Sequence, residues 1–118
     1  MGFSFENLKV YQKALEFVDE VFDVGDGLPS SAQSSLGDQL RRSSLSIVNN
    51  IAEGSDQSSK KKKAVFYEIS LHSARECVPG ITILKRRGLI TEDRHDALRA
   101  GCSEICRMLV GLIRSLKL

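Results

Sequence analysis

At 118 residues, 42% hydrophobic and 27% charged, the chain is sized for one domain with one core, and it is too apolar to stay disordered. Trp is absent and aromatic residues make up 6%, so the interior must be built from Leu, Ile, Val and Ala, which suits interdigitating helices better than a sheet. The formal net charge of +2 hides an imbalance, because residues 1–29 carry −4 and the remainder +6; the molecule is electrically lopsided.

The first helix is expected over residues 5–24, with apolar residues Leu8, Tyr11, Leu15, Val18 and Phe22 three and four apart on one stripe. A neighbouring stripe of Val10, Ala14, Phe17 and Val21 widens the face, which implies more than one packing partner. Ser4 or Asn7 is the expected cap, and Phe3 and Leu8 are spaced as a hydrophobic staple if Ser4 takes that role. The segment GDGLPSSAQSS then ends the helix, since Gly, Pro and Ser at this density favour turns. A second helix follows over 35–53, with Ser35 and Asp38 as a short capping box and a stripe of Leu36, Leu40, Ile47 and Ile51. Small residues at Ser43 and Ser44 permit close approach of a neighbour, and Gly54 is expected at C′.

Helix three is expected over 58–87, capped by Ser58 or Ser59, with Phe66, Ile69, Ser73, Cys77, Ile81 and Leu84 facing inward. Pro79 should kink it without ending it, because the apolar pattern resumes in phase. Gly88 suits C′, with Leu89 folding back on the last turn. Thr91 caps a fourth helix over 91–117, with Glu92 and Asp93 on the positive end of its dipole. Leu98, Cys102, Ile105, Leu109, Leu112 and Leu116 keep a 4-3-4-3-4 rhythm, the pattern of left-handed knobs-into-holes packing. With short connections, sequential helices run antiparallel. The expected fold class is therefore all-α: a left-handed, up-down-up-down four-helix bundle forming a single domain over residues 1–118.

Chemistry is sparse. No GxSxG, HExxH or phosphate-binding Gly loop is present, and neither His has a nucleophile partner; an enzyme is not expected. Glu92-x-x-His95 matches one element of a di-iron bundle, but that site needs a second such element and two further Glu. His72 stands four residues from both Glu68 and Glu76, which fits an ion pair better than a ligand set. Cys102 and Cys106 are four apart without a second pair to complete a metal site, so small core residues are the better account. No metal and no cofactor is expected. With Cys77 they make an odd number and show no CxxC spacing, which argues for a reducing cytoplasm. No apolar run approaches the ~20 residues of a membrane span, and Glu6 stands where a myristoylation signal wants Ser or Thr.

The strongest functional candidates are basic: Arg41 and Arg42 near the start of helix two, and Lys60, Lys61, Lys62 and Lys63 at the start of helix three. In an antiparallel hairpin the two groups sit at opposite ends, though a ring of subunits would join them into one band. Four consecutive Lys repel one another and oppose the helix dipole, a cost that phosphate binding relieves; a solvated basic helix start accounts for them as well. Adjacent aromatics for base stacking are limited to Phe66 and Tyr67, so RNA contact would be to backbone and shape.

QLRRSSLSIVNNIAEG (Gln39–Gly54) resembles the signature of the bacterial four-helix-bundle family called 23S ribosomal RNA intervening-sequence proteins. FENLKVYQKA (Phe5–Ala14) is similar to that family's opening motif, SSKKKKAVFYEISLHSARE (Ser58–Glu76) to its basic-then-aromatic entry into helix three, and RRGLIT and EICRMLVGLIRSL to its closing helix. The resemblance implies an up-down-up-down bundle that assembles as a ring-shaped pentamer, in a family whose activity is essentially unassigned and whose superfamily includes an RNA-binding accessory protein of diversity-generating retroelements. The chain departs from the family pattern at Ser43-Ser44, Val48, His72 and Pro79, while Arg41, Arg42, Lys60 and Lys61 match it.

Two functions from different classes follow. In one, the protein is a cytoplasmic, non-catalytic homo-oligomer whose basic surface binds structured RNA or a ribonucleoprotein. In the other, it is a protein-interaction or scaffolding module whose doubled apolar stripes make subunit contacts and whose lysines only keep it soluble.

Overall fold

A computed structural model describes residues 2–117. Four long helices account for nearly all of it: α1 (Lys9–Asp26), α2 (Asp38–Ser55), α3 (Lys60–Arg86) and α4 (Glu92–Ser115). Each packs on its neighbour in sequence and α1 closes against α4, whereas the diagonal pairs make no comparable contact, so the arrangement is an up-down-up-down four-helix bundle. Its principal extents are 44 × 27 × 20 Å, and no strand occurs among the described residues.

The core is aliphatic. Phe17 and Val21 of α1, Ile47 and Ile51 of α2, Ile81 and Leu84 of α3, and Leu98, Ile105 and Leu109 of α4 are all essentially inaccessible to solvent. In α1 the buried stripe is the second of the two apolar rows, Val10, Ala14, Phe17 and Val21. Leu15 and Phe22 of the first row remain exposed, while Leu8, Tyr11 and Val18 pack against the margin of the core. The inward face of α3 likewise differs from the expected one. Ala64, Tyr67, Ser70, Leu71 and Ala74 are buried with Ser73, Cys77, Ile81 and Leu84, while Phe66 is half-buried and Ile69 is 43% exposed.

That rotation follows from a polar seam between α2 and α3. Ser70 Oγ donates to the Ile47 carbonyl at 2.8 Å, Ser46 and Ser73 share a 2.7 Å hydroxyl pair, and Ser44 Oγ donates within its own helix to the Arg41 carbonyl at 2.8 Å. Small hydroxylated side chains let the two backbones approach, and each buried hydroxyl finds a partner. Close approach also decides Gly54. It is helical and buried inside α2, where an added Cβ would lie 2.7 Å from the Tyr67 ring, and it is not the expected C′ residue. The helix runs on to Ser55, whose Oγ bonds the Tyr67 hydroxyl at 3.1 Å.

Local signals set most of the ends. Ser59 Oγ accepts from the Lys62 amide and Thr91 Oγ1 from the Arg94 amide, both at 3.1 Å. Gly88, at φ 70°, closes α3: its amide reaches the Lys85 carbonyl and that of Leu89 the Leu84 carbonyl, both at 2.9 Å, a Schellman motif. Helix α3 passes through Pro79, which lies on its exposed side. At α1 neither Ser4 nor Asn7 caps. Residues Ser4–Asn7 form a 3-10 turn whose Glu6 carboxylate accepts from the Phe3 amide at 2.7 Å, and α1 begins after Leu8. The α1–α2 connection is also shorter than expected. Pro29 starts a helical turn, Ser30–Ala32, that runs through a π-helical stretch, Gln33–Gly37, into α2, so Ser35 sits within helical backbone and does not cap it.

Candidate nucleic-acid interface

The four lysines at the start of α3 divide into two kinds. Lys63 reaches back across the turn, its Nζ donating to the Ser55 carbonyl at 2.8 Å and standing 3.5 Å from that of Gly54. The ammonium thereby neutralises the negative end of α2, which is where a cation is most stable on a helix. Lys60, Lys61 and Lys62 point into solvent, and none has an ion-pair partner among the described residues.

The arginines divide in the same way. Arg41 is held locally by Asp26 at 3.2 Å and Asp38 at 3.1 Å, with its guanidinium 5.6 Å from the centre of the Phe22 ring. It lies against Gly25, where a Cβ would come within 2.6 Å of the guanidinium. Arg41 is thus the clasp that ties the end of α1 to the start of α2. Arg42 is exposed and unpaired among the described residues. The structure therefore leaves four of the six predicted residues, Arg42, Lys60, Lys61 and Lys62, with open charge. It also keeps the arginine and lysine groups at opposite ends of the bundle, as the hairpin requires.

One basic surface escaped the sequence reading. Arg75 of α3 faces Arg114 of α4 across the α3–α4 side, Arg107 is exposed seven residues earlier on α4, and none of the three is ion-paired among the described residues. On α4 the two arginines are seven apart, a helical stripe visible in the sequence; only the pairing of α3 with α4 shows that Arg75 stands beside it. The opposite side is acidic, since α1 displays Glu16, Asp19, Glu20 and Asp23.

The other candidate groups are engaged elsewhere. His72 Nε2 pairs with Glu76 at 2.9 Å, and His95 Nδ1 with Asp96 at 2.9 Å, while Glu92 turns to Lys85 at 3.4 Å. No group of three or more potential metal ligands forms among the described residues. Cys77, Cys102 and Cys106 are free thiols. Burial pushes Cys77 up to about 12. Cys102 donates to the Ala74 carbonyl at 3.0 Å and is also raised, by the Cys106 thiol beside it and by burial. Cys106 is only half-buried, and the neighbouring Cys102 thiol, helped by Arg75, brings it down to about 7. No helix among the described residues is long and apolar enough to cross a membrane.

Fold and surface together define a small helical bundle whose distinguishing chemistry is cationic side chains on its outside. The 23S rRNA-intervening sequence protein family matches over residues 6–111, and the chain belongs to that family. Among solved structures it is similar to a protein of unknown function from the S23 ribosomal protein family of Bacteroides thetaiotaomicron VPI-5482. The two share 25% identity and a TM-score of 0.83, with 89% of this chain and 95% of that chain covered. No curated protein matches the chain.

Proposed function

We propose that the protein is a non-catalytic, cytoplasmic adaptor that binds structured RNA or a ribonucleoprotein through its basic surface and works as a homo-oligomer. The observation that carries this reading is the set of cations without an ion-pair partner among the described residues, Lys60, Lys61, Lys62 and Arg42, exposed on a chain whose α1 side is acidic. Cations spread over two ends and one side suit contacts to phosphate better than readout of bases in a groove. A ring, the pentamer that the family resemblance implies, would align them into one band.

Filter binding of structured RNA at two salt concentrations tests the proposal. Affinity should fall steeply with salt, and the triple variant Lys60→Gln, Lys61→Gln, Lys62→Gln should flatten the slope of log K against log salt by about 2–3. Affinity that is absent at physiological salt, or indifferent to salt, would refute it.

The scaffolding alternative draws on a different observation. Val65, Ile69 and Ile83 on α3 and Leu15, Phe22 and Leu45 on the α1–α2 side are large apolar residues left exposed, and clustered apolar surface marks contact sites. Native mass measures the assembly. A monomer whose behaviour is unchanged after the lysines are neutralised would count against both readings.

A further inference from the structure

We propose that the groove between α3 and α4 accepts one unstacked base of a single-stranded RNA segment while the guanidiniums on its two walls hold the neighbouring phosphates. The inference rests on the RNA-binding reading above and extends it from backbone contact to a base-accepting site. The groove is open to solvent and offers about 450 Å³. Its floor is aliphatic, made by Leu71, Val110 and Ile113, and Arg75 and Arg114 stand on opposite walls.

Three features favour this occupant. First, neither guanidinium has a carboxylate partner among the described residues, so both keep forked donors for phosphate oxygens, and their planes offer stacking faces to a base. Second, the floor is apolar, which suits the face of a base and gives nothing to a phosphate. Third, the Glu68 carboxylate lines the same groove, and His72 pairs with Glu76 and leaves Glu68 open. A carboxylate there repels a phosphate but accepts from the exocyclic amine of cytosine or adenine, so the anion belongs at the walls and the base inside. Lys61 lies seven residues before Glu68 on the same stripe of α3, about 10 Å along the axis, where it extends the phosphate track toward the open lysines.

The test is fluorescence anisotropy with the full chain, comparing a single-stranded cytidine-rich ten-mer with an abasic oligomer of the same length and phosphate number. Wild type should bind the base-bearing oligomer at least about fivefold more tightly. Val110→Trp, which fills the groove, and Ile113→Ser, which wets its floor, should each abolish that difference while leaving abasic binding unchanged. Arg75→Gln should weaken both oligomers. Equal binding of the two oligomers by wild type, or no binding of either, would overturn the groove; the RNA-binding reading falls only if structured RNA also fails to bind in the filter assay. Loss of native oligomer mass in Val110→Trp with base dependence intact would also overturn it, assigning the groove to a second copy of the chain.

Discussion

Replacing Gly54 by Ala should destabilise the protein, although in a helix the same exchange ordinarily stabilises by roughly 0.5–1 kcal/mol. The new methyl would stand 2.7 and 2.9 Å from Tyr67 Cε1 and Cδ1 and 3.2 Å from Phe66 Cβ. Tyr67 is 3% exposed and its hydroxyl is bonded to Ser55, so the ring cannot swing aside without losing that bond or opening the α2–α3 contact. Overpacking of this kind costs about 1–3 kcal/mol, and a weakened hydrogen bond adds about 1 kcal/mol. The net expectation is a loss of about 1–3 kcal/mol, or a fall in Tm of about 4–12 °C for a domain of this size. Gly111 supplies the control: it lies in α4 with nothing within 4 Å of an added Cβ, so Gly111→Ala should gain up to about 1 kcal/mol. Urea denaturation of both variants at one fixed protein concentration measures the pair. If the two substitutions shift stability in the same direction, the close approach assigned to Gly54 is wrong.

Arg41→Met should cost roughly 1–2 kcal/mol, because it removes two charge-assisted bonds whose acidic partners are largely exposed; the salt dependence of RNA binding should not change, and a flattened slope would return Arg41 to the interface. Ser59→Ala and Thr91→Ala should each lower stability by about 1 kcal/mol in denaturant titrations, as loss of a bonded N-cap does. Cys106 should react with a thiol alkylating reagent in the native state. A lowered pKa means its thiolate fraction rises through about pH 7 and not through the ordinary cysteine range near 8.5, so the pH dependence of the rate reports it directly. Cys77 and Cys102 should be modified only on unfolding. A midpoint for Cys106 at or above 8.5 would contradict the geometry around Arg75 and Cys102.

Where a feature depends on neighbours in the chain, the sequence alone was enough. Ser59, Thr91 and Gly88 were readable as caps because the bonds that make them span three to five residues. The four helices were readable because apolar spacing repeats at the helical period. Features that depend on neighbours in space were not. Two adjacent apolar rows on α1 compete for the core, and only the seating of α1 between α2 and α4 decides for Val10, Ala14, Phe17 and Val21. Counting hydrophobicity placed Ile69 inside and passed over Ser70, yet Ser70 is buried because the Ile47 carbonyl awaits its hydroxyl. For the basic residues, Asp38 three positions before Arg41 was a visible partner, but Asp26, fifteen positions away, was not. The Arg75 side of the α3–α4 surface needed two helices to be laid together before it could be seen.

The hydroxyl contacts between α2 and α3 act as teeth. Aliphatic residues grip almost as well after a helix slides by one turn, but such a slip would carry Ser70 away from the Ile47 carbonyl and part Ser46 from Ser73, leaving hydroxyls stranded in a dry interior. The α2–α3 hairpin is therefore keyed to a single alignment from within the core, whereas α1 is tied to α2 from the surface, by Arg41 on Asp26.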